Sequence, residues 1–291
     1  MTRRPRPLPK RLILCADDFG LDIAVNKAVE EAHRDGILST ASLMVGAPAV
    51  ADAVERARRL PGLRVGLHLV LIGGRPVAPP DRLRRLVRRN GRFGDDPFRA
   101  GLRYFFAPGI RRQLAEEIRA QFEAFRATGL ALDHVDAHEH MHLHPTVARL
   151  VVEIGRDYGL RAVRLPAEPR AVLRAAFPVE RHAAQPPGFA VAWLRWRLRR
   201  AGIAMNDHIF GIAWSGGMTE TRLLGLLPHL PDGVSEIYFH PAAERSAALA
   251  AAMPKYRHTE ELAALLSPAL RRRIDEFGIE LVSYGDLAGA S

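Results

Sequence analysis

The feature of this sequence that most restricts its fold is the alternation of short apolar runs with helical segments along nearly its whole length. The first apolar run, Leu12–Ala16, is followed by apolar residues at helical spacing as far as Gly36. The same alternation continues to a last predicted strand at Glu280–Ser283. Strands that alternate with helices in this way pair in parallel, because each helix carries the chain back across the sheet.

The number of predicted strands favours a distorted (β/α) barrel within the α/β class. About seven parallel strands can close a chain of 291 residues into a barrel, and an open doubly wound sheet is the alternative. No internal repeat or low-complexity linker divides the chain, so we predict a single catalytic domain over residues 1–291. Prolines cluster after Pro166, and residues 166–218 are predicted to form an excursion or lid.

The chain is basic, with 42 Lys+Arg against 32 Asp+Glu and a formal net charge of +10. Such a charge is compatible with an anionic partner. The alternative explanation of the positive charge is that the base composition of the genome favours arginine and alanine codons. No nucleic-acid-binding motif is visible, so we predict no nucleic-acid partner. The single cysteine, Cys15, excludes an intramolecular disulfide and fits a reducing compartment.

The sequence predicts a cytoplasmic protein that can rest on the inner face of the cytoplasmic membrane. No stretch approaches the roughly 18 apolar residues of a membrane span, and the basic start lacks the apolar run of a signal peptide. The segment Phe189–Arg200 mixes two tryptophans with four arginines at helical spacing, as interfacial helices do. We predict that Trp193, Trp196 and Arg197 contact anionic lipid; an ordinary helix packed on the barrel is the alternative.

Four predicted strands end in acidic residues or histidines, at the sheet edge where functional residues of parallel α/β proteins gather. Asp17 and Asp18 follow the first strand, His68 lies in the third, and His240 follows the strand Ser235–Phe239. Two adjacent carboxylates are costly to bury unless they bind a metal or have partners. The alternatives are helix capping for the aspartate pair and a core position for His68.

The strongest local signal is the segment Asp133–Pro145, in which Asp136 and five histidines occupy even-numbered positions. In an extended chain these side chains share one face. The strand is predicted to end near Ala137, so one or two of them should bind a metal and others should support the ligands. Oxygen and imidazole ligands suit Mg, Mn, Zn, Co or Fe, and such a site activates water for hydrolysis. A solvated histidine-rich turn is the alternative.

These residues resemble the motifs of the YdjC/ChbG carbohydrate deacetylases, in order from Arg11 to Asp286. The matching stretches are Ala16–Gly20, Gly66–His68, Asp136–His138 and Phe239–Pro241. The stretches Ile37–Val45 and Val163–Pro169 resemble most closely the hopanoid-biosynthesis-associated, HpnK-like branch. The resemblance implies a polysaccharide-deacetylase-like (NodB-like, YdjC-like) barrel. It also implies hydrolysis of a linear amide C–N bond, converting N-acetylglucosaminyl-hopanoid to glucosaminyl-hopanoid.

The resemblance also implies roles for single residues. Asp18, His68 and His138 would bind one divalent metal ion, Mg²⁺ or Zn²⁺, with Mn²⁺, Co²⁺ or Ni²⁺ as alternatives. Asp17 would be the general base, and His240 would protonate the leaving amine. A further set is predicted to bind substrate or support the ligands: Asp136, Arg164 and His142. Arg164 would orient Asp17 or bind a sugar hydroxyl; a surface arginine is the alternative.

Three other functions remain compatible with the sequence. The first is deacetylation of soluble chito-oligosaccharides. The second is a nucleic-acid-binding or metal-sensing protein with structural histidines, for which a steep salt dependence of DNA affinity would be the sign. The third is phosphodiester hydrolysis, although the ligands of only one metal are apparent. A homodimer is compatible with the sequence, but no residue indicates it.

Overall fold

The computed structural model describes residues 9–180, 183 and 185–289, and its strands all pair in parallel, as the sequence pattern predicts. Within these residues the sheet has seven strands: β1 (Lys10–Phe19), β2 (Thr40–Leu43), β3 (Arg64–Leu69), β4 (Leu132–Ala137), β5 (His208–Phe210), β6 (Gly233–Phe239) and β7 (Glu280–Leu281). The strand order is β4-β3-β2-β1-β6-β5, and β7 pairs with the start of β1.

Helices connect the strands and cover the sheet. The α-helices of the described residues are α1 (Ile23–Arg34), α2 (Val50–Arg58), α3 (Pro97–Phe106), α4 (Ile110–Ala127), α5 (Pro145–Gly155), α6 (Arg170–Ala176), α7 (Gly188–Ala201), α8 (Glu220–Leu226), α9 (Ala247–Ala252), α10 (His258–Leu265), α11 (Pro268–Glu276) and α12 (Tyr284–Ala288). Four short 3-10 helices lie at Pro80–Leu83, His138–Leu143, Arg156–Tyr158 and Leu227–His229. No helix within the described ranges is long and apolar enough to span a bilayer. The lid at 166–218 and the single-domain organisation stay predictions.

The segment Ala162–Leu165 has the apolar composition from which the sequence predicts a further strand, but this prediction is wrong for a regular strand, because the segment makes only two isolated bridges. Val163 bridges to Val135 of β4, and Ala162 bridges to Ala204, just before β5. The ladder stops there because the Leu165 N–H donates to the Asn206 side chain, and the next residue, a proline, has no N–H. The segment still links the two edge strands, so the sheet curls into a distorted barrel rather than an open sheet.

Strand β1 runs through the middle of the sheet and carries the site. Its residues from Leu12 to Phe19 are all buried, and successive side chains face different clusters. Leu12 and Leu14 pack in the larger cluster, whereas Ile13 and Cys15 pack in the smaller one. Burial on both faces explains why the strand is continuously apolar until its carboxyl end. Cys15 is a buried free thiol, and burial raises its pKa.

We expect the Gly66→Ala substitution in β3 to destabilise the fold. A Cβ built on Gly66 would lie 2.3 Å from Cε1 of His134, and this imidazole is completely buried and cannot move aside. Overpacking of this kind costs about 1–3 kcal/mol, which urea unfolding measures. The control is Gly188→Ala, where a Cβ meets nothing within 4 Å. Equal stability of the two variants would contradict the close packing at Gly66.

Candidate metal centre

The carboxyl ends of β1, β3 and β4 bring the three predicted metal ligands together. Asp18 lies in β1, His68 in β3, and His138 directly follows β4. The Asp18 Oδ1 atom lies 3.5 Å from His68 Nε2 and 3.4 Å from His138 Nδ1. In a tetrahedral metal site each ligand atom lies about 2.1 Å from the ion, and this places two ligand atoms about 3.4 Å from each other. The spacing of these donor atoms therefore fits a single ion.

Burial and charge at these residues also fit a cation. Within the described part of the chain, neither carboxylate oxygen of Asp18 nor Nε2 of His68 has a hydrogen-bond partner, although all are buried. Burial alone would raise the pKa of Asp18, but the histidines around it lower that pKa. Burial alone would lower the pKa of His68, but Asp136 and two further aspartates raise it to about 9. The negative charge of these aspartates, which favours the protonated form of His68, also favours the binding of a metal cation at this place.

The backbone around the site is locally strained. Among the described residues, three that are not glycine have a positive φ: Asp18 (62°), Glu139 (54°) and His140 (51°). Such conformations cost energy and collect at functional sites. In β1 the pairing register shifts between Ala16 and Phe19. This irregularity breaks the usual alternation of side chains, and it lets the adjacent Asp17 and Asp18 both reach the site.

A completely buried arginine holds Asp17. The Arg164 guanidinium donates two hydrogen bonds to Asp17, both 2.7 Å long, and one of 2.7 Å to Glu236. It also forms an ion pair with Asp136. Burial alone would lower the pKa of Arg164, but these three carboxylates raise it well above its ordinary value. Arg164 is therefore not a surface residue, and its geometry fits the predicted orientation of Asp17.

Asp136 contacts the candidate metal ligand His68, and His142 contacts the backbone of Arg164. Asp136 Oδ1 is 2.9 Å from His68 Nδ1, which leaves Nε2 of the imidazole directed at Asp18. A carboxylate behind a histidine is the usual arrangement around a metal. Burial alone would raise the pKa of Asp136, but Arg164 and His68 hold it well below its usual range. The His142 Nε2 atom lies 3.0 Å from the Arg164 carbonyl oxygen, and burial lowers its pKa to about 4.

A second carboxylate grouping, Asp17 with His68 and Asp136, also has its donor atoms within 4.8 Å. Arg164 already neutralises both of these aspartates. A metal ion there would compete with a fixed buried cation, whereas no arginine contacts Asp18 in the described structure. We therefore place the candidate metal centre at Asp18, His68 and His138.

His240 follows β6 and is fixed through its backbone. Its N–H donates to the Glu261 carboxylate, and its carbonyl oxygen is 2.6 Å from His258 Nδ1. The Tyr256 ring packs against its imidazole, with 4.9 Å between ring centroids. Burial lowers the pKa of His240, and its Nδ1 has no partner among the described residues. The imidazole is therefore held in place while this nitrogen stays free.

The site lies in a cleft of about 850 Å³ whose walls include Asp18, His138 and His240. The cleft is partly apolar, and its other lining residues include Met44, Val70, Ile72, Val77, Met253, Arg75, Arg92, Glu139, Lys255 and Tyr256. Several residues around the site were not found from the sequence, among them Glu236, Glu261 and Tyr256. For Glu236 a signal exists, because it is a charged residue inside an apolar strand.

The three residues predicted to contact lipid lie on α7 and differ in exposure. Trp193 is partly buried against the hydrophobic core. Trp196 is 52% exposed, and the guanidinium of Arg200 lies over its ring. Arg197 forms an ion pair of 3.7 Å with Glu153 of α5. Their contact with lipid stays a prediction, with Trp196 as its most accessible member.

Comparison with known proteins identifies the family. A family model described as "YdjC-like protein" matches residues 11–276. A carbohydrate deacetylase of Geobacillus stearothermophilus is 32% identical over 279 residues, covering 95% of this chain and 98% of that protein. A carbohydrate deacetylase of Vibrio vulnificus is also 32% identical, covering 95% of this chain and 96% of that protein.

The fold comparison agrees with the sequence comparison. A crystal structure from Enterococcus faecalis, of a protein described as acting in cellobiose-phosphate cleavage, superposes with a TM-score of 0.75. It covers 96% of this chain and 99% of that chain at 24% identity. The motifs at the strand ends, the matched family model and the near-full-length relatives therefore agree: the chain belongs to the YdjC-like protein family.

Proposed function

We propose that the protein is a metal-dependent N-deacetylase that hydrolyses the acetamide of an N-acetylglucosamine-type sugar. The observation that carries the proposal is the cluster of Asp18, His68 and His138. Among the described residues, the buried donor atoms of Asp18 and His68 have no hydrogen-bond partner, and they stand beside the arginine-held carboxylate of Asp17. Near-full-length relatives named carbohydrate deacetylases support the reaction class, and the chain is a hydrolase of that class.

In the proposed mechanism Asp17 is the general base. A divalent cation held by the three ligands would polarise the acetyl oxygen and make water easier to deprotonate. Arg164 fixes both oxygens of Asp17, and Oδ1 also accepts from the Cys15 thiol, whereas Oδ2 keeps a lone pair that can accept the proton of the attacking water. Arg164 is a positioning residue in this scheme, because its other hydrogen bonds to Glu236 lock the guanidinium itself.

His240 is the proposed general acid. An amine leaves only after protonation, and His240 lines the cleft beside Asp18 while its backbone is held on both sides. Burial lowers the pKa of this imidazole, so once it is protonated it gives up the proton readily. The carboxylates of Asp17 and Asp18 oppose this effect and favour the protonated form.

The finer substrate proposal is a lipid-linked sugar, N-acetylglucosaminyl-hopanoid. The resemblance of Ile37–Val45 and Val163–Pro169 to the hopanoid-associated branch supports it. Apolar side chains on the cleft walls, among them Ile72 and Met253, provide contacts for an apolar part of the substrate. A cytoplasmic enzyme at the inner membrane face fits such a substrate. One carboxylate and two imidazoles suit Zn²⁺ well and are also compatible with Mg²⁺, Mn²⁺, Co²⁺ or Ni²⁺.

Acetate release after metal removal tests the proposal. The protein is treated with chelator, and Mg²⁺, Mn²⁺, Zn²⁺, Co²⁺ or Ni²⁺ is restored singly. We expect release from N-acetylglucosaminyl-hopanoid to stop without metal and to return with one or more ions. N,N′-diacetylchitobiose is the parallel substrate. Release from it alone would replace the hopanoid with a soluble substrate, and no acetate from either substrate, with metal bound, would contradict the deacetylase assignment.

A further inference from the structure

Helix α3 presents an apolar face that stays largely exposed in the described structure, although the Phe105 ring packs against His144 with 4.2 Å between ring centroids. Phe98, Leu102, Phe105 and Phe106 are 74%, 45%, 55% and 78% exposed. Their spacing of four, three and one residues places them on one side of the helix. Four of the ten exposed large apolar residues in the described structure lie on this one short helix. A contiguous exposed patch of this kind marks an interaction surface.

The helix itself is firmly attached, so its exposed face is not the result of a loose segment. The buried Tyr104 donates a hydrogen bond of 2.6 Å to the Leu71 carbonyl oxygen. The Thr146 hydroxyl donates to the Tyr104 carbonyl oxygen, at 3.3 Å. Leu71 stands between Val70 and Ile72, and both of these line the cleft. Helix α3 is therefore fixed next to one wall of the cleft through its buried side, and its exposed apolar face points away from that contact.

The stretch of chain that carries this face is rich in positive charge. Residues 81–112 contain ten arginines and three aspartates, so this stretch holds most of the net charge of the chain. Arg99 and Arg103 lie on α3 itself, and the Arg99 side chain is 83% exposed. Arg99 pairs with Asp96, but exposed ion pairs of this type are weak and leave the surface charge in place.

The charge decides which partner fits the face. In a symmetric dimer formed through α3, the same surface of both subunits would form the interface. The positively charged residues 81–112 of one subunit would then lie close to the same residues of the other. Like charges in contact cost affinity. A bilayer that contains anionic lipids offers negative headgroups to the arginines and an apolar interior to the aromatic side chains.

We infer that α3 docks the protein on an anionic lipid bilayer. Phe98 and Phe106 enter the boundary between headgroups and acyl chains, and the arginines of residues 81–112 contact the headgroups. The inference goes beyond the proposed reaction, because binding to the bilayer does not depend on which sugar is hydrolysed.

Vesicle co-sedimentation of the full chain tests the inference. The vesicles contain equal parts phosphatidylglycerol and phosphatidylcholine, and pure phosphatidylcholine vesicles are the comparison. We expect binding to the anionic vesicles that weakens with added salt. The Phe98→Ser/Phe106→Ser variant should bind about tenfold or more weakly, because it loses the inserted apolar surface. Both side chains are mostly exposed, so its thermal midpoint should equal that of the wild type.

The matched control is Val179→Ser/Phe277→Ser, which removes two exposed apolar side chains from parts of the chain outside α3 and α7. This variant should bind as the wild type does. Absence of wild-type binding to anionic vesicles would overturn the inference, as would undiminished binding of the α3 variant. Loss of binding only in a Phe189→Ser/Trp196→Ser variant, which removes two exposed aromatic side chains from α7, would assign the contact to α7 and overturn the inference. A wild-type dimer that the α3 substitutions make monomeric would show a second copy as the partner instead. If the α3 variant fails to fold, Arg89→Glu/Arg99→Glu, expected to bind less, replaces it.

Discussion

The Asp17→Asn variant is expected to lose roughly 10²–10⁴-fold in kcat while it keeps its metal content. Asparagine has nearly the same shape as aspartate, and its oxygen can still accept a hydrogen bond from Arg164, but it cannot take a proton from water. In wild type the carboxylate is held by two hydrogen bonds of 2.7 Å. Steady-state acetate release and elemental analysis of the same preparation measure both quantities.

The control for Asp17→Asn is Glu236→Gln. This change also neutralises a carboxylate on Arg164, but Glu236 is completely buried and does not line the cleft. We expect Glu236→Gln to lower the thermal midpoint but to keep a kcat close to that of the wild type. General-base catalysis contributes about 10²–10⁴-fold to the rate. If Asp17→Asn kept kcat within about tenfold of the wild type, Asp17 would not be the general base.

The Arg164→Leu variant is expected to lose about 3–5 kcal/mol of unfolding free energy, the usual cost of leaving buried charges without a partner. Arg164 is the shared cation for Asp17, Asp136 and Glu236, all buried. Urea unfolding measures the loss. Arg164→Lys keeps the positive charge but loses the planar guanidinium that bonds to several carboxylates at once. Its free energy of unfolding should therefore lie between those of the wild type and the leucine variant. It also serves as the test if Arg164→Leu yields no folded protein.

The loss in Arg164→Leu should depend on pH. Burial already raises the pKa of Glu236 in wild type, and removal of the arginine leaves that effect unopposed. A carboxyl group whose pKa is higher in the folded state stabilises the fold in its protonated form, and this contribution is lost as pH rises. The stability difference between wild type and variant should therefore narrow in acid. Equal urea midpoints at neutral pH would contradict the role given to Arg164.

The site positions were predictable because they follow from topology. Parallel strands place their carboxyl ends at one edge, so Asp18, His68 and His138 meet although they are far apart in the chain. The end of β4 at Ala137 also follows the prediction. The partners of Arg164 were not predictable in the same way. Glu236 reaches the arginine across the barrel, and a sequence pattern does not record which side chains face each other there.

Two further features depend on packing rather than on pattern. The segment Ala162–Leu165 has the composition of a strand, but a side-chain acceptor on Asn206 and a following proline limit it to isolated bridges. The helical spacing of Phe98 and Phe106 identifies a shared face, yet apolar spacing normally indicates a covered face. Only the structure shows that this face of α3 is open.

The metal content of the reconstituted protein and of its ligand variants tests the proposed metal centre most directly. We predict one divalent ion per chain in wild type and none in Asp18→Asn or His68→Gln. His134→Gln is the matched control, because His134 is equally buried in the neighbouring β4 but bonds to Ser42 and Asp133 instead. It should keep its ion. Retention of the ion by Asp18→Asn and His68→Gln would contradict the assignment of the metal centre to the ends of β1, β3 and β4.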